Sequence, residues 1–267
     1  MQEAYAEDIL SQLEEDQRYA LCFGGTTEGR LLTLANIALI YSALTEYGAQ
    51  LIDERDNLII SYGALRPKEI EQLLQSSQIY AVIDATHPFA QSISQSIYSA
   101  CKAANKPLAR FYRPRNAYHT ENNKEHYADS LDEALKLLEN EFSASKVFAS
   151  TGVQSLTTLS AFSGAQNMRA RILPSEMSRK LAKDASFSES QLIYAQGPFS
   201  VQDNLRDFEG SDVLLSKESG KRGGFEEKLE AARILGMDII IITRPPELEY
   251  ENAFTKVNQI LAWLKEL

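Results

Sequence analysis

Arg18-Tyr-Ala-Leu-Cys-Phe-Gly-Gly25, followed at once by Thr26-Thr-Glu-Gly-Arg30, is the stretch whose reading decides the fold. A short apolar run ends in two glycines, and residues from Glu28 to about Asn36 suit a helix. Strand, glycine turn and helix therefore follow one another. Glycines let a backbone turn tightly and approach an anion, and the N–H groups at the start of the next helix favour a diphosphate there. The candidate cofactor-binding set is Gly24, Gly25, Thr26, Thr27, Glu28, Gly29 and Arg30, with hydroxyls from the threonines and a fork of N–H donors from the arginine. The spacing is Gly-Gly-x-x-x-Gly, not the usual Gly-x-Gly-x-x-Gly, so a tight turn without a ligand is the competing reading.

The alternation continues along the chain. Strand candidates are Ala38 to Ala43, Leu58 to Ser61, Tyr80 to Asp84, Lys146 to Ser150, Gln191 to Ala195, Val213 to Ser216 and Asp238 to Thr243. Between them lie helical stretches at Pro67 to Gln75, Phe89 to Ala104, Ser130 to Glu141, Val201 to Phe208 and Phe225 to Leu235. Strands alternating with helices predict an α/β fold with parallel sheets, because parallel neighbours need long return connections. The polar stretch Tyr118 to Asp129 interrupts the pattern and reads as a loop. A boundary near residue 142 gives two Rossmann-like lobes, 18–141 for a dinucleotide and 142–267 ending in a helix, with ligands expected in a cleft between them. Residues 1–17 read as a short amphipathic helix or a linker.

Composition narrows the function. The 267 residues are 44% hydrophobic and carry a formal net charge of −10, which argues against nucleic-acid binding. No run approaches the roughly 18 apolar residues of a membrane helix, and the first residues lack the order of a signal peptide, so the expected location is the cytoplasm. Cys22 and Cys101 form neither a disulfide framework nor a metal cluster and read as small buried hydrophobes.

Other loops carry candidate chemistry. Glu46 falls near the distance at which an acid reads a ribose and would favour NADH, whereas Ser42 or a nearby arginine would accept the extra phosphate of NADPH; the sequence leaves both open. In Val82-Ile-Asp-Ala-Thr-His-Pro-Phe-Ala90, Asp84, Thr86 and His87 are presented at the carboxyl edge of the sheet. His87 is a candidate for proton transfer or, alternatively, a cap of its own turn. His119 and His126 lie in the polar loop and read as exposed. In the second lobe, Ser150-Thr151-Gly152, Gln196-Gly197-Pro-Phe-Ser200 and Ser216-Lys217-Glu-Ser219-Gly220 each end a strand with small or hydroxyl residues. Lys217 is the anion-binding candidate among them. Arg110, Arg113 and Arg115 form a basic cluster, read either as an anion-binding patch or as solvated arginines.

Taken in order, Phe23-Gly-Gly-Thr-Thr-Glu-Gly-Arg30, Thr45-Glu-Tyr-Gly48, Asp84-Ala-Thr-His-Pro-Phe-Ala90, Ser150-Thr-Gly152, Gln196-Gly-Pro-Phe-Ser200, Ser216-Lys-Glu-Ser-Gly220, Gly224-Phe-Glu-Glu-Lys228 and Thr243-Arg-Pro-Pro246 resemble the precorrin-6A reductase family of cobalamin biosynthesis, including its cobalt-precorrin-6A reductases. The resemblance implies two Rossmann-like lobes and an oxidoreductase that uses NADPH or NADH to reduce the C18–C19 double bond of a tetrapyrrole-derived polycarboxylate, with no metal held by the protein. It implies that Gly24 to Arg30, with Thr86 and His87, meet the cofactor. It implies that Arg110, Arg113, Thr151, Gly152, Gly197, Ser200, Lys217, Ser219 and Gly220 meet the substrate and that no single side chain need be essential for the chemistry; His87 and Lys217 are the catalytic candidates among the residues. It is also compatible with transient contact with other corrin-pathway enzymes. Two stretches, Arg30 to Thr45 and Asn204 to Val213, are shorter than the family pattern, and Glu218 stands where aspartate is common. Rival readings are another Rossmann-fold oxidoreductase and a dinucleotide sensor without catalysis.

Overall fold

Strand β1 (Tyr19–Phe23) is buried at every residue, and so is β2 (Leu39–Ala43), which is why neither sequence alternates. The computed structural model describes residues 6–112, 123–219, 224–246 and 248–267. In chain order the further strands are β3 (Leu58–Tyr62), β4 (Ile79–Asp84), β5 (Leu108–Phe111), β6 (Glu125–Ala128), β7 (Val147–Ala149), β8 (Arg169–Ile172), β9 (Leu192–Tyr194), β10 (Val213–Lys217), β11 (Asp238–Ile242) and β12 (Asn252–Phe254). The α-helices are α1 (Ala6–Leu10), α2 (Thr27–Leu31), α3 (Glu46–Gln50), α4 (Pro67–Gln75), α5 (Gln91–Ala104), α6 (Leu131–Glu141), α7 (Leu156–Leu159), α8 (Glu176–Asp184), α9 (Val201–Phe208), α10 (Phe225–Ile234) and α11 (Val257–Lys265).

The chain divides into two units, Met1–Pro114 with Pro246–Leu267, and Arg115–Pro245. In the first, six parallel strands run in the order β12-β5-β4-β1-β2-β3. One face of the sheet packs Leu32, Ala49, Ile52, Ile260 and Trp263; the other packs Ile9, Ile70, Leu73, Leu74 and Ile97. The chain moves outward from β1 through β2 to β3, then crosses to β4 on the other side of β1. The carboxyl ends of β1 and β4 thus flank a topological switch point, where open α/β sheets bind ligands. The second unit repeats the plan with the order β6-β11-β10-β7-β8-β9, its switch point lying between β7 and β10. Its core gathers Phe148, Phe208, Leu214, Phe225, Leu229 and Ile239.

The division differs from the boundary expected near residue 142. Glu125-His-Tyr-Ala128 is not loop but an edge strand, paired in parallel with Ile239–Ile242 of β11, and Arg233 bonds the Glu125 carboxylate at 2.7 and 2.9 Å. His126 accordingly lies in a strand, half-buried, with Nε2 3.3 Å from Asp238 Oδ1. The last strand and helix, β12 and α11, belong to the first unit, because Asn252–Phe254 pairs with β5. The helix after the glycine turn is shorter than expected. It becomes a 3-10 turn at Leu32–Leu34, where the Arg55 guanidinium takes the carbonyls of Thr33 (2.6 Å) and Ile37 (3.0 Å).

Residues 6–17 are an integral cap on the first unit and not a linker. Ile9 is fully buried beside α4, worth about 2 kcal/mol of apolar burial, and the Gln78 side chain bonds the carbonyls of Glu14 and Gln17. Both cysteines are buried and free, as the sequence suggests.

Candidate functional site

The turn between β1 and α2 is built by Thr26. Its extended backbone caps α2, its hydroxyl oxygen accepts from Gly29 N at 3.0 Å, and the same hydroxyl donates to Ala85 O at 3.1 Å across the switch point. Three glycines allow the fit. A Cβ on Gly24 would overlap the Tyr41 ring, one on Gly25 would lie 3.3 Å from His87 N, and one on Gly29 would lie 2.9 Å from the Ala85 Cβ. The turn and the Ala85–His87 loop are therefore pressed together at backbone distance. Thr27 accepts from the Arg30 guanidinium at 3.4 Å, and the Arg30 charge opposes the rise that burial imposes on the Tyr41 hydroxyl in the middle of β2. Glu28 lies in the first turn of α2. Glu46 starts α3 under the Thr45 cap, and Ser42 is buried in β2.

On the β4 side, the hydroxyl of Thr86 is committed within the protein. It donates to Asp84 Oδ1 at 2.7 Å and lies 2.9 Å from Ser94 Oγ. His87 Nδ1 accepts from Phe89 N at 3.3 Å and its ring stacks on Phe89, so it caps its own turn and carries its proton at Nε2 when neutral. Arg110 is given a different partner from the ring carboxylate expected of it. It is only 3% exposed, and its Nη1 bonds Asp84 Oδ1 at 2.8 Å and Thr86 O at 3.2 Å. Arg113, Arg115, His119 and Gly220 lie outside the described residues.

The second unit brings Thr151, Gly152, Lys217 and Ser219 to the carboxyl edge at the β7–β10 switch point, since β7 and β10 are neighbours that end there. Thr151 Oγ1 lies 2.5 Å from Ser155 Oγ, and Gly152 takes a left-handed φ of 84° with open space where a side chain would be. Burial lowers the Lys217 pKa from its ordinary value. Gly197 and Ser200 lie beyond β9. Ser200 caps α9, accepting from Asp203 N and donating to Asp203 Oδ2 at 2.7 Å, so its hydroxyl serves the helix. Glu218 accepts Arg244 N at 3.0 Å and fixes the Thr243-Arg-Pro-Pro turn.

A family model described as "Precorrin-6x reductase CbiJ/CobK" matches residues 20–265. The chain belongs to this family. It is 29% identical to a cobalt-precorrin-6A reductase of Methanocaldococcus jannaschii over 92% of this chain and 98% of that one, and 30% identical to one of Methanococcus maripaludis over 86% and 89%. A solved CobK precorrin-6A reductase superposes with a TM-score of 0.72 at 25% identity, covering 94% of this chain and 97% of the other. As a precorrin-6x reductase the protein is an oxidoreductase of cobalamin biosynthesis acting on a CH–CH bond, and the family implies a reduced nicotinamide cofactor.

The first unit of this reductase fits such a cofactor. Gly25 and Gly29 let the glycine turn pack against the Ala85–His87 loop at backbone distance, and the α2 N-terminus stands at the switch point. Sequence reasoning missed Tyr250, whose hydroxyl bonds Asp84 Oδ2 at 2.6 Å, and it missed Arg171 and Lys228 in the second unit. Arg171 bonds Asp207 and Asn204, each at 2.8 Å, and stacks on Phe199 at 3.6 Å; Lys228 is 7% exposed. The tyrosine sits in no motif. Lys228, by contrast, ends the family-like Gly224-Phe-Glu-Glu-Lys228, which was a usable signal.

Proposed function

We propose that this reductase uses NADPH to reduce the C18–C19 double bond of cobalt-precorrin-6A, with the β1–β4 switch point of the first unit holding the dinucleotide. The observation that carries the reading is the side-chain-free approach of Gly25 and Gly29 to the Ala85–His87 loop. Gly25 and the first N–H groups of α2 would take the diphosphate, aided by the Thr27 hydroxyl, while the Arg30 guanidinium would meet the extra phosphate of NADPH. Thr26 and Thr86 act one step back, since their hydroxyls hold the two walls in place.

Two features favour NADPH. Strand β2 ends at Ala43 with no carboxylate at its tip, the nearest acid, Glu46, being drawn into the first turn of α3, and the Arg30 charge acts on Tyr41 of the same strand. The cobalt-loaded ring is favoured because both methanogen relatives are named for it.

The reduced nicotinamide supplies the hydride when bound. The protein's own residues orient, desolvate and anchor. Lys217 and Ser219, with the Thr151-Gly152 turn and Gly197, form the set proposed to meet ring carboxylates. Burial makes Lys217 easier to deprotonate than a surface lysine, which suits a group that also passes a proton to the second carbon of the reduced bond. His87, with its proton at Nε2, is the alternative donor.

The test is an anaerobic assay with metal-free and cobalt-loaded substrate, each with NADH and with NADPH. The expected result is ring-dependent NADPH oxidation, faster with the cobalt form. Oxidation supported only by small carbonyl compounds would point to another oxidoreductase, and dinucleotide binding without turnover to a sensor.

A further inference from the structure

Asp84 closes β4 with no exposure to solvent, and both of its oxygens are bonded. Oδ1 accepts from Arg110 Nη1 (2.8 Å), Thr86 N (3.0 Å) and the Thr86 hydroxyl (2.7 Å), while Oδ2 accepts the Tyr250 hydroxyl at 2.6 Å. Tyr250 stands 166 residues further along the chain, in the segment leading into β12. One carboxylate therefore ties the ends of β4 and β5 to the returning C-terminal segment. The loop it fixes, through both polar groups of Thr86, is the loop that Gly25 and Gly29 face.

We propose that Tyr250 is a positioning residue for dinucleotide binding, holding Asp84 so that Thr86 and His87 form a rigid wall opposite the glycine turn. The inference rests on the reading that the dinucleotide lies at this switch point. Asp84 and Arg110 balance each other's charge, so the phenol adds a directed donor and no net charge. Burial, reinforced by the neighbouring Asp84 charge, raises the phenol's pKa well above its ordinary value, so it remains a donor at any assay pH. The site is also poised to respond to loss of that donor. Tyr250 and Arg110, with Pro88, Gln91, Ser94 and Leu248, line a cavity of about 310 Å³, large enough for water to take the place of a removed hydroxyl. Water there would bond Oδ2 without tethering it to β12, and the Thr86 wall would lose its anchor.

The experiment compares Tyr250→Phe with Tyr98→Phe. Tyr98 meets the Tyr250 ring edge-on at 5.9 Å and has no part in the Asp84 bonds, so it reports the cost of disturbing the packing alone. NADPH dissociation constants, the KM of the ring substrate and thermal midpoints are measured for the whole protein. Expected is a Kd for NADPH about tenfold higher in Tyr250→Phe, with the ring KM within about twofold of the wild type. Tyr98→Phe keeps the wild-type Kd. Thr86→Val repeats the test from the loop side, with Thr86→Ser as the rescue, should Tyr250→Phe not fold. An unchanged NADPH Kd in Tyr250→Phe, or an equal weakening in Tyr98→Phe, overturns the proposal. A wild type that binds no dinucleotide overturns the underlying reading as well.

Discussion

Gly29 and Ala85 touch so closely that a Cβ on the glycine would stand 2.9 Å from that of the alanine. The contact joins the first turn of α2 to the residue that follows β4, and it sets the width of the switch point. Gly29→Ala should cost about 1–3 kcal/mol by overpacking and weaken dinucleotide binding. Ala85→Gly in the same chain should recover most of both losses. Thermal unfolding and NADPH titration of the two single variants and the double variant check this coupling.

Thr26 joins the same two segments through hydrogen bonds instead of packing. Thr26→Val removes the helix cap and the bond to Ala85 O while keeping the shape, and should destabilise the protein by about 1–2 kcal/mol. Thr26→Ser keeps both bonds and should stay near wild type. Denaturant unfolding separates the two outcomes.

The local part of this architecture was legible in the sequence. Pro67–Gln75 was read to the residue, because proline starts it and its apolar residues Ile70, Leu73 and Leu74 share one face. Several strands were not legible, β6 and β8 among them. Glu125-His-Tyr-Ala128 becomes a strand only through Ile239–Ile242, and Arg169-Ala-Arg-Ile172 carries two arginines whose partners lie on and just beyond α9. The site divides in the same way. The glycine turn announces itself, but Arg110 shows only its charge in the sequence, and nothing there reveals Asp84 at 2.8 Å. Hydroxyls were visible at Thr86 and Ser200; their internal partners were not.

Lys228 should make stability depend on pH. Burial, with the nearby Arg171 charge, lowers its pKa from 10.5 to about 8, against the pull of Glu227. The unfolded chain therefore holds more protons than the folded one between those values, and this group's penalty on folding is full below pH 8 and fades towards pH 10.5. Lys228→Met should gain stability relative to wild type at pH 7, and that difference should shrink by a few kcal/mol, on the order of 3, across the window. Urea unfolding of both proteins at pH 7 and pH 9.5 checks the sign.

Arg30 should set cofactor preference. Arg30→Ala is expected to raise the NADPH KM about tenfold and leave the NADH KM nearly unchanged, because only the former carries the extra phosphate. Equal increases for both cofactors would assign the guanidinium to the shared diphosphate.

The most direct test of the account is NADPH titration of Gly25→Asp beside Gly25→Ala, each with its thermal midpoint. Both variants place a Cβ 3.3 Å from His87 N, but only the aspartate brings a negative charge to the turn. The account predicts that Gly25→Asp loses measurable NADPH binding while Gly25→Ala retains part of it, with similar midpoints for the two. Binding by Gly25→Asp at wild-type affinity would contradict it, and would remove the glycine turn from the cofactor site.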